Sequence, residues 1–320
     1  MQLPVTSCLL LVSALLSAGV VSAQQYPARS MRLIVPFPPG GGADLWGRVV
    51  AQRMSEAFGV PVVVDNRPGA GGTIGEEMIA RATPDGYTLG SVSGYGTSAA
   101  IYKLSFDPVN DVQPVVAIGS SGFVVAMNPA VQIRTTAELV AFAKANPGKL
   151  NYGSSGTGAI VHLSTELLAL KAGIRMTHVA FRGGGPALIA LLGNQVDLFL
   201  GSTPSSVPLV KSGKLRAIGV TTLHRVSALP DVPPIADTVP GYEALLVYGV
   251  LGPKGVPAEV IRVWNSTVNK SLQTPEIKER LANDAVDAIG GAPAVFHEII
   301  KRDVRQWREV VKEAKLSASS

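Results

Sequence analysis

The side chains able to do covalent or metal chemistry are sparse in this sequence, and their spacing argues against catalysis. Four histidines, His162, His178, His224 and His297, show neither H-x-x-x-H nor H-E-x-x-H spacing, so metal ligation has no support. Gly153-Ser154-Ser155-Gly156-Thr157 carries threonine where a G-x-S-x-G nucleophile elbow needs its last glycine. Gly69-Ala70-Gly71-Gly72-Thr73-Ile74-Gly75 has its last glycine one position late for a G-x-G-x-x-G dinucleotide loop, and no Walker-type phosphate loop occurs. No catalytic residue, metal or cofactor is expected.

The chemistry the sequence does offer is that of backbone donors in glycine loops. From Arg32 to Phe58 a β-branched run (Leu33, Ile34, Val35) leads through Pro36, Pro38, Pro39 and Gly40 to Gly42 into a helical pattern at Leu45, Val49, Met54 and Phe58. Such a junction aims unpaired N–H groups and the positive end of a helix dipole at the space above the strand, which favours an anion. Asp44 stands where a helix N-cap would, and the alternative is that it holds water or a ligand ammonium group. The hydroxyls of Ser93, Thr97, Ser154, Ser155 and Thr157 can add charge-assisted bonds to a carboxylate of about 1.5 to 3 kcal/mol each. Arg67 and Arg182 either add charge to such a site or pair with structural acids such as Asp65 and Asp197.

Several strand, glycine loop and helix units would position these groups. Val62 to Val64, Tyr87 to Leu89, Leu150 to Tyr152 and Thr177 to Phe181 each run into a loop of small residues, SVSGYGTSAA following the second of them. The βαβα order implies α/β architecture with mainly parallel sheets, whose ligand sites lie at the carboxyl ends of strands. The loops at 40 to 44 and 153 to 158 are more than a hundred residues apart, which suits two lobes facing each other across a cleft. Val124 to Pro129 reads as a strand leaving the first lobe, and Tyr242 to Pro253 as the return. Lobe 1 is therefore expected over residues 24–126 and 246–320, and lobe 2 over 127–245. Glu259 to Lys315 reads as mostly helical with a break at Gly290-Gly291-Ala292-Pro293, packed on the first lobe.

With 320 residues, 47% of them hydrophobic, the chain has material for real cores. The uncharged segment 1–23, with an apolar run from Cys8 to Val21 and a Val21-Ser22-Ala23 cleavage pattern, reads as a secretory signal peptide. Cys8 is the only cysteine, so the mature chain would have neither disulfides nor thiol chemistry. The net charge of +5 is dispersed, as in KRDVRQWREVVKEAK, and nucleic-acid binding is not expected.

Taken together, PFPPGGGAD, VDNRPGAGGTIG, TPDGYTL, YKLSFDPVNDVQPV, NYGSSGTGAIVHL, THVAFRGGGPAL and LPDVPPIADTVPGYE resemble the solute receptors of tripartite tricarboxylate transporters, the Bug receptors, from about Tyr26 to Lys315. The resemblance implies a monomeric periplasmic binding protein of the two-lobed Venus-flytrap type II class. It would capture a small carboxylate between the lobes, through backbone groups and water, and deliver it to membrane permease subunits. Carried over by position, Phe37, Gly41, Gly42, Ala43 and Asp44 would form the first-lobe pincer and Ser154, Gly156 and Thr157 the second, with His162, Arg182 and Gly183 nearby. Departures from the usual pattern at Ser98-Ala99, Ala180, Phe181, Ala190, Tyr248 and Trp46 bear on the ligand more than on the fold. The contrasting readings are a secreted hydrolase-like α/β enzyme using a loop serine, and a receptor homologue that signals.

Overall fold

A computed structural model describes residues 26–317. The expected signal peptide lies outside the described residues. In the first sheet, β1 (Met31–Val35) pairs in parallel with β2 (Val62–Asn66) and with β3 (Thr88–Ser93). The sheet is completed by β4 (Val112–Ser121), β10 (Leu246–Pro253) and β11 (Asp287–Gly290), in the order β11-β4-β10-β3-β1-β2. The second sheet contains β5 (Phe123–Met127), β6 (Asn151–Ser154), β7 (Thr177–Ala180), β8 (Leu198–Ser202) and β9 (Arg216–Val220), ordered β7-β6-β8-β5-β9.

The two-lobed α/β class is as expected, but both sheets are mixed where mainly parallel ones were anticipated. The reason is the crossing. The chain passes between sheets at Gly122, and the Val124 to Pro129 segment expected to leave the first lobe already supplies β5 of the second. A strand that enters a sheet from the cleft end must run against strands whose carboxyl ends face the cleft. Thus β5 is antiparallel to β8, with Phe123 opposite Ser202, and β10 is antiparallel to β3 and β4, with Leu246 opposite Ser121. Two loop assignments also shift. Ser91 to Ser93 belong to β3, and Gly153 and Ser154 to β6.

Helices follow the strands as the glycine loops imply. The first, α1 (Gly42–Phe58), buries Trp46, Val50 and Met54 on one face and stops at Gly59, which takes the left-handed conformation with φ 68°. On the first lobe α2 (Thr73–Ala80) follows β2. The second lobe carries α3 (Thr136–Ala145), α4 (Ile160–Ala172), α5 (Gly184–Leu192) and α6 (Thr203–Lys211). The chain closes with α7 (Ala258–Leu272), α8 (Pro275–Asn283) and α9 (Pro293–Glu313). In α9 the buried Phe296, Ile300, Val304, Trp307 and Val311 recur at helical spacing, and the helix packs on β4 and also touches α4 of the other lobe. Among the described residues no helix is long and apolar enough to cross a membrane.

Candidate functional site

Four helices begin at the face where the lobes meet, because four strands of the two sheets run out into loops there. The starts of α1, α4, α5 and α6 supply Gly41, Gly42 and Ala43, then Ile160 and Val161, then Gly184, then Ser202 and Ser205, to the lining of one small chamber. Phe37, Ser93, Phe123, Ser155, Phe199 and Leu246 complete it, and its volume is about 40 Å³. Among the described residues no charged side chain lines it. The first N–H groups of a helix have no partner inside the helix, and the dipole leaves partial positive charge at that end. Positive potential in this chamber therefore comes from helix starts and not from a charged side chain in its lining. An outer chamber of about 240 Å³ is lined by Phe37, Gly69 to Gly72, Tyr102, Ser155, Gly156, Thr157, Ala180, Phe181 and Arg182. Phe37 and Ser155 line both spaces, so the two adjoin.

The first loop is fixed from behind. Gly41 is the N-cap of α1, correcting the placement of Asp44 in that role. Asp44 sits in the first turn, buried, and its Oδ2 accepts from Gly40 N–H at 3.1 Å and from Arg48 Nε at 3.0 Å. Asn66 Nδ2, at the end of β2, donates to Asp44 Oδ1 at 3.0 Å and to Phe37 O at 2.8 Å. Burial works to raise the Asp44 pKa, but the bonds from Arg48, Asn66 and Gly40 outweigh it and hold the carboxyl below the usual range. Its oxygens are thus engaged by the loop, and it does not line either chamber. A side chain at Gly42 has no room: a Cβ there would lie 2.7 Å from Ser202 Oγ and 2.8 Å from Tyr248 Oη.

The second loop hangs from a stack of rings. Ser154, fully buried, accepts from Gly156 N–H at 3.1 Å and lies 2.6 Å from His178 Nε2. His162 Nδ1 accepts from Gly158 N–H at 3.2 Å. The two imidazoles stack with centroids 4.1 Å apart, and Tyr152 stacks on His178 at 5.0 Å. Burial pushes the His162 pKa down to about 3, helped by His178, and that of His178 down to about 4. Both rings are therefore neutral near pH 7, as an Nδ1 acceptor requires. Gly156 adopts φ 128°, and a Cβ there would meet Gly71 Cα of the opposite lobe at 3.1 Å.

Of the sequence-derived candidates, Phe37, Gly41, Gly42, Ala43, Ser93 and Ser155 meet in the inner chamber, and Gly156, Thr157 and Arg182 in the outer. Ser154 and His162 stand behind the second loop. Gly183 packs against Pro38 of the first lobe, where a Cβ would come within 2.3 Å of the ring. Thr97 lines neither chamber, because its hydroxyl donates to Gly94 O at 3.0 Å. Arg67 pairs with Asp65, its Nε 2.8 Å from Oδ1, whereas Asp197 accepts from Asn151 N–H and Arg182 has no partner among the described residues. Sequence reasoning missed Ser202, Ser205 and the apolar wall of Phe123, Phe199 and Leu246. The signal for the serines was Leu198-Phe199-Leu200-Gly201-Ser202-Thr203-Pro204, another strand running into a proline-marked helix start without a run of glycines.

The description that matches is Tripartite tricarboxylate transporter family receptor, over residues 47–316. The chain belongs to this family. BugT of Bordetella pertussis (strain Tohama I) is 33% identical over 301 residues, 92% of each chain. The solved structure of the periplasmic binding protein BugD is similar with a TM-score of 0.87 and 31% identity, covering 91% of this chain and 99% of that one. A structure described as R. palustris Rpa4515 with adipate gives a TM-score of 0.87 at 32% identity, with the same coverage. Family and fold are those of periplasmic solute-binding proteins.

Proposed function

We propose that this receptor captures a small carboxylate anion between its lobes in the periplasm, as a monomer, and delivers it to the membrane permease subunits of a tripartite tricarboxylate-type transporter. The observation that carries this reading is the convergence of four helix starts on an inner chamber with no charged side chain. A carboxylate placed there meets Gly42, Ala43 and Gly184 N–H groups and the hydroxyls of Ser93, Ser155 and Ser202, while the Ser205 hydroxyl donates to Ser202 O. The adipate named with a relative of the same fold supports the ligand class. Donors from both lobes reward the closed form, so ligand binding shifts the lobes toward closure, and the permease reads the closed surface.

The test is a thermal-shift screen of the mature, ligand-stripped protein against carboxylates, neutral sugars and cations. At 100 times the dissociation constant a ligand of the folded state adds about 2.7 kcal/mol. A midpoint raised by sugars or cations and by no carboxylate would exclude the anion reading. Delivery is tested by substrate uptake in cells with the receptor gene deleted and restored.

A further inference from the structure

Resting on that reading, we propose that the two chambers divide one ligand between them. The ligand class is an extended dicarboxylate with an uncharged spacer and no ammonium group, one carboxylate in the inner chamber and the second at Arg182.

The inner chamber supplies anion donors on one side and hydrocarbon on the other, from Phe37, Phe123, Phe199 and Leu246. A second carboxylate held there would be desolvated against phenylalanine rings with no counter-charge. Its volume, about 40 Å³, is room for a few waters, which suits a carboxylate and its adjoining carbons and not a branched tricarboxylate. From there the ligand extends along Phe37 and Ser155, which line both spaces, into the adjoining one. The outer chamber holds the single charged side chain lining either space, Arg182, among the described residues. Arg182 is exposed and makes no hydrogen bond or ion pair among the described residues, unlike Arg48 on Asp44 and Arg67 on Asp65. A guanidinium with free donors in a ligand cavity is suited to take a carboxylate in bidentate fashion.

An ammonium group finds no such reception. Among the described residues neither chamber is lined by Asp or Glu, and Asp44, the acid of the first loop, has its oxygens engaged by Gly40, Arg48 and Asn66. An amino-acid ligand would bring a positive charge to a site built from helix N-termini.

The experiment is calorimetry on the mature, ligand-stripped chain and its Arg182→Ala and Arg182→Lys variants, with hexanoate, adipate, 2-aminoadipate and citrate as probes. Adipate is expected to bind about threefold to tenfold tighter than hexanoate, the range for an ion pair that keeps some solvent contact. Arg182→Ala is expected to erase that ratio and Arg182→Lys to keep part of it. Both 2-aminoadipate and citrate are expected to bind at least about tenfold more weakly than adipate. An adipate-to-hexanoate ratio that survives Arg182→Ala, or 2-aminoadipate matching adipate, overturns the proposal. Hexanoate equal to adipate in the unaltered protein overturns it too, while leaving the carboxylate receptor standing. Silence of every carboxylate brings down both.

Discussion

Ser154 Oγ lies 2.6 Å from His178 Nε2, out of reach of solvent, and the same hydroxyl accepts the Gly156 N–H of the second-lobe loop. A serine beside a histidine invites a nucleophilic reading, yet the Ser154 hydroxyl is fully buried and no carboxylate is bonded to His178 among the described residues. Its work is to hold the loop. With His162 holding Gly158, two neutral imidazoles fix the backbone on which the ligand would rest.

Acid should therefore loosen the second lobe. In the folded chain His178 titrates near 4 and His162 near 3, both below the ordinary 6.5. Their contribution to stability is fully present above about pH 6.5, and is lost as pH falls through 4 and then 3, because the unfolded chain binds those protons first. His178→Phe keeps a stacked ring but strips Ser154 of its partner. It is expected to cost about 1 to 3 kcal/mol at pH 7 and to flatten the acid limb. Denaturant titrations between pH 4.5 and 7.5 measure both, and an acid limb as steep as before would reject the assignment.

The first lobe carries the opposite dependence at Glu76 of α2. Burial raises its pKa from 4.5 to about 7, against the pull of the Gly96 N–H and of Ser98 Oγ at 3.3 Å. A folded pKa above the unfolded one means that its contribution is fully present below 4.5 and lost as pH rises through 7. Glu76→Gln keeps the shape and removes the charge. Its melting temperature relative to the parent is expected to climb from pH 5 to pH 8, and a difference that stays flat would exclude a buried ionising Glu76.

How far the sequence already spoke depends on what a residue does. Glycine loops, proline and the β-branched runs are local signals, so the strand-to-helix junctions at Gly41, Gly156 and Gly183 were legible. Pairing direction was not. Whether β10 runs parallel or antiparallel depends on where the chain re-enters the sheet, and nothing in Leu246 to Pro253 encodes that. Side-chain roles were blurred for a similar reason: Asp44 and His162 were noticed for their type, but only the fold shows that both face their own loops. Phe123, Phe199 and Leu246 read as ordinary core residues of strands, since a residue at a strand end is core or cavity wall according to what lies opposite.

Asn66 gives a direct comparison with its neighbour. Its amide bridges Phe37 O and Asp44 Oδ1, while the half-exposed Arg67 pairs with Asp65. Asn66→Ala leaves a carbonyl and a buried carboxylate short of a donor and is expected to cost about 1 to 3 kcal/mol, with weaker ligand binding. Arg67→Ala should cost under about 1 kcal/mol. Equal losses of affinity in the two variants, read by calorimetry, would contradict the loop-holding role of Asn66.

The sharpest prediction contrasts backbone with guanidinium. Gly42→Val drives a branched side chain into Ser202 and Tyr248, filling the space where a carboxylate would meet the start of α1. Gly156→Val instead drives a side chain against Gly71 of the opposite lobe, opposing closure over the ligand, and adds a backbone conformation that valine resists. Both are expected to abolish measurable binding while circular dichroism confirms that the protein stays folded. Arg182→Ala, acting on an exposed side chain, should weaken a dicarboxylate by only about threefold to tenfold. If the arginine instead formed a desolvated bidentate pair, its loss would cost about 2 to 5 kcal/mol and show mainly as faster dissociation. A folded Gly42→Val protein that binds normally, beside an Arg182→Ala protein that does not bind, would replace the helix-start site with an arginine clamp.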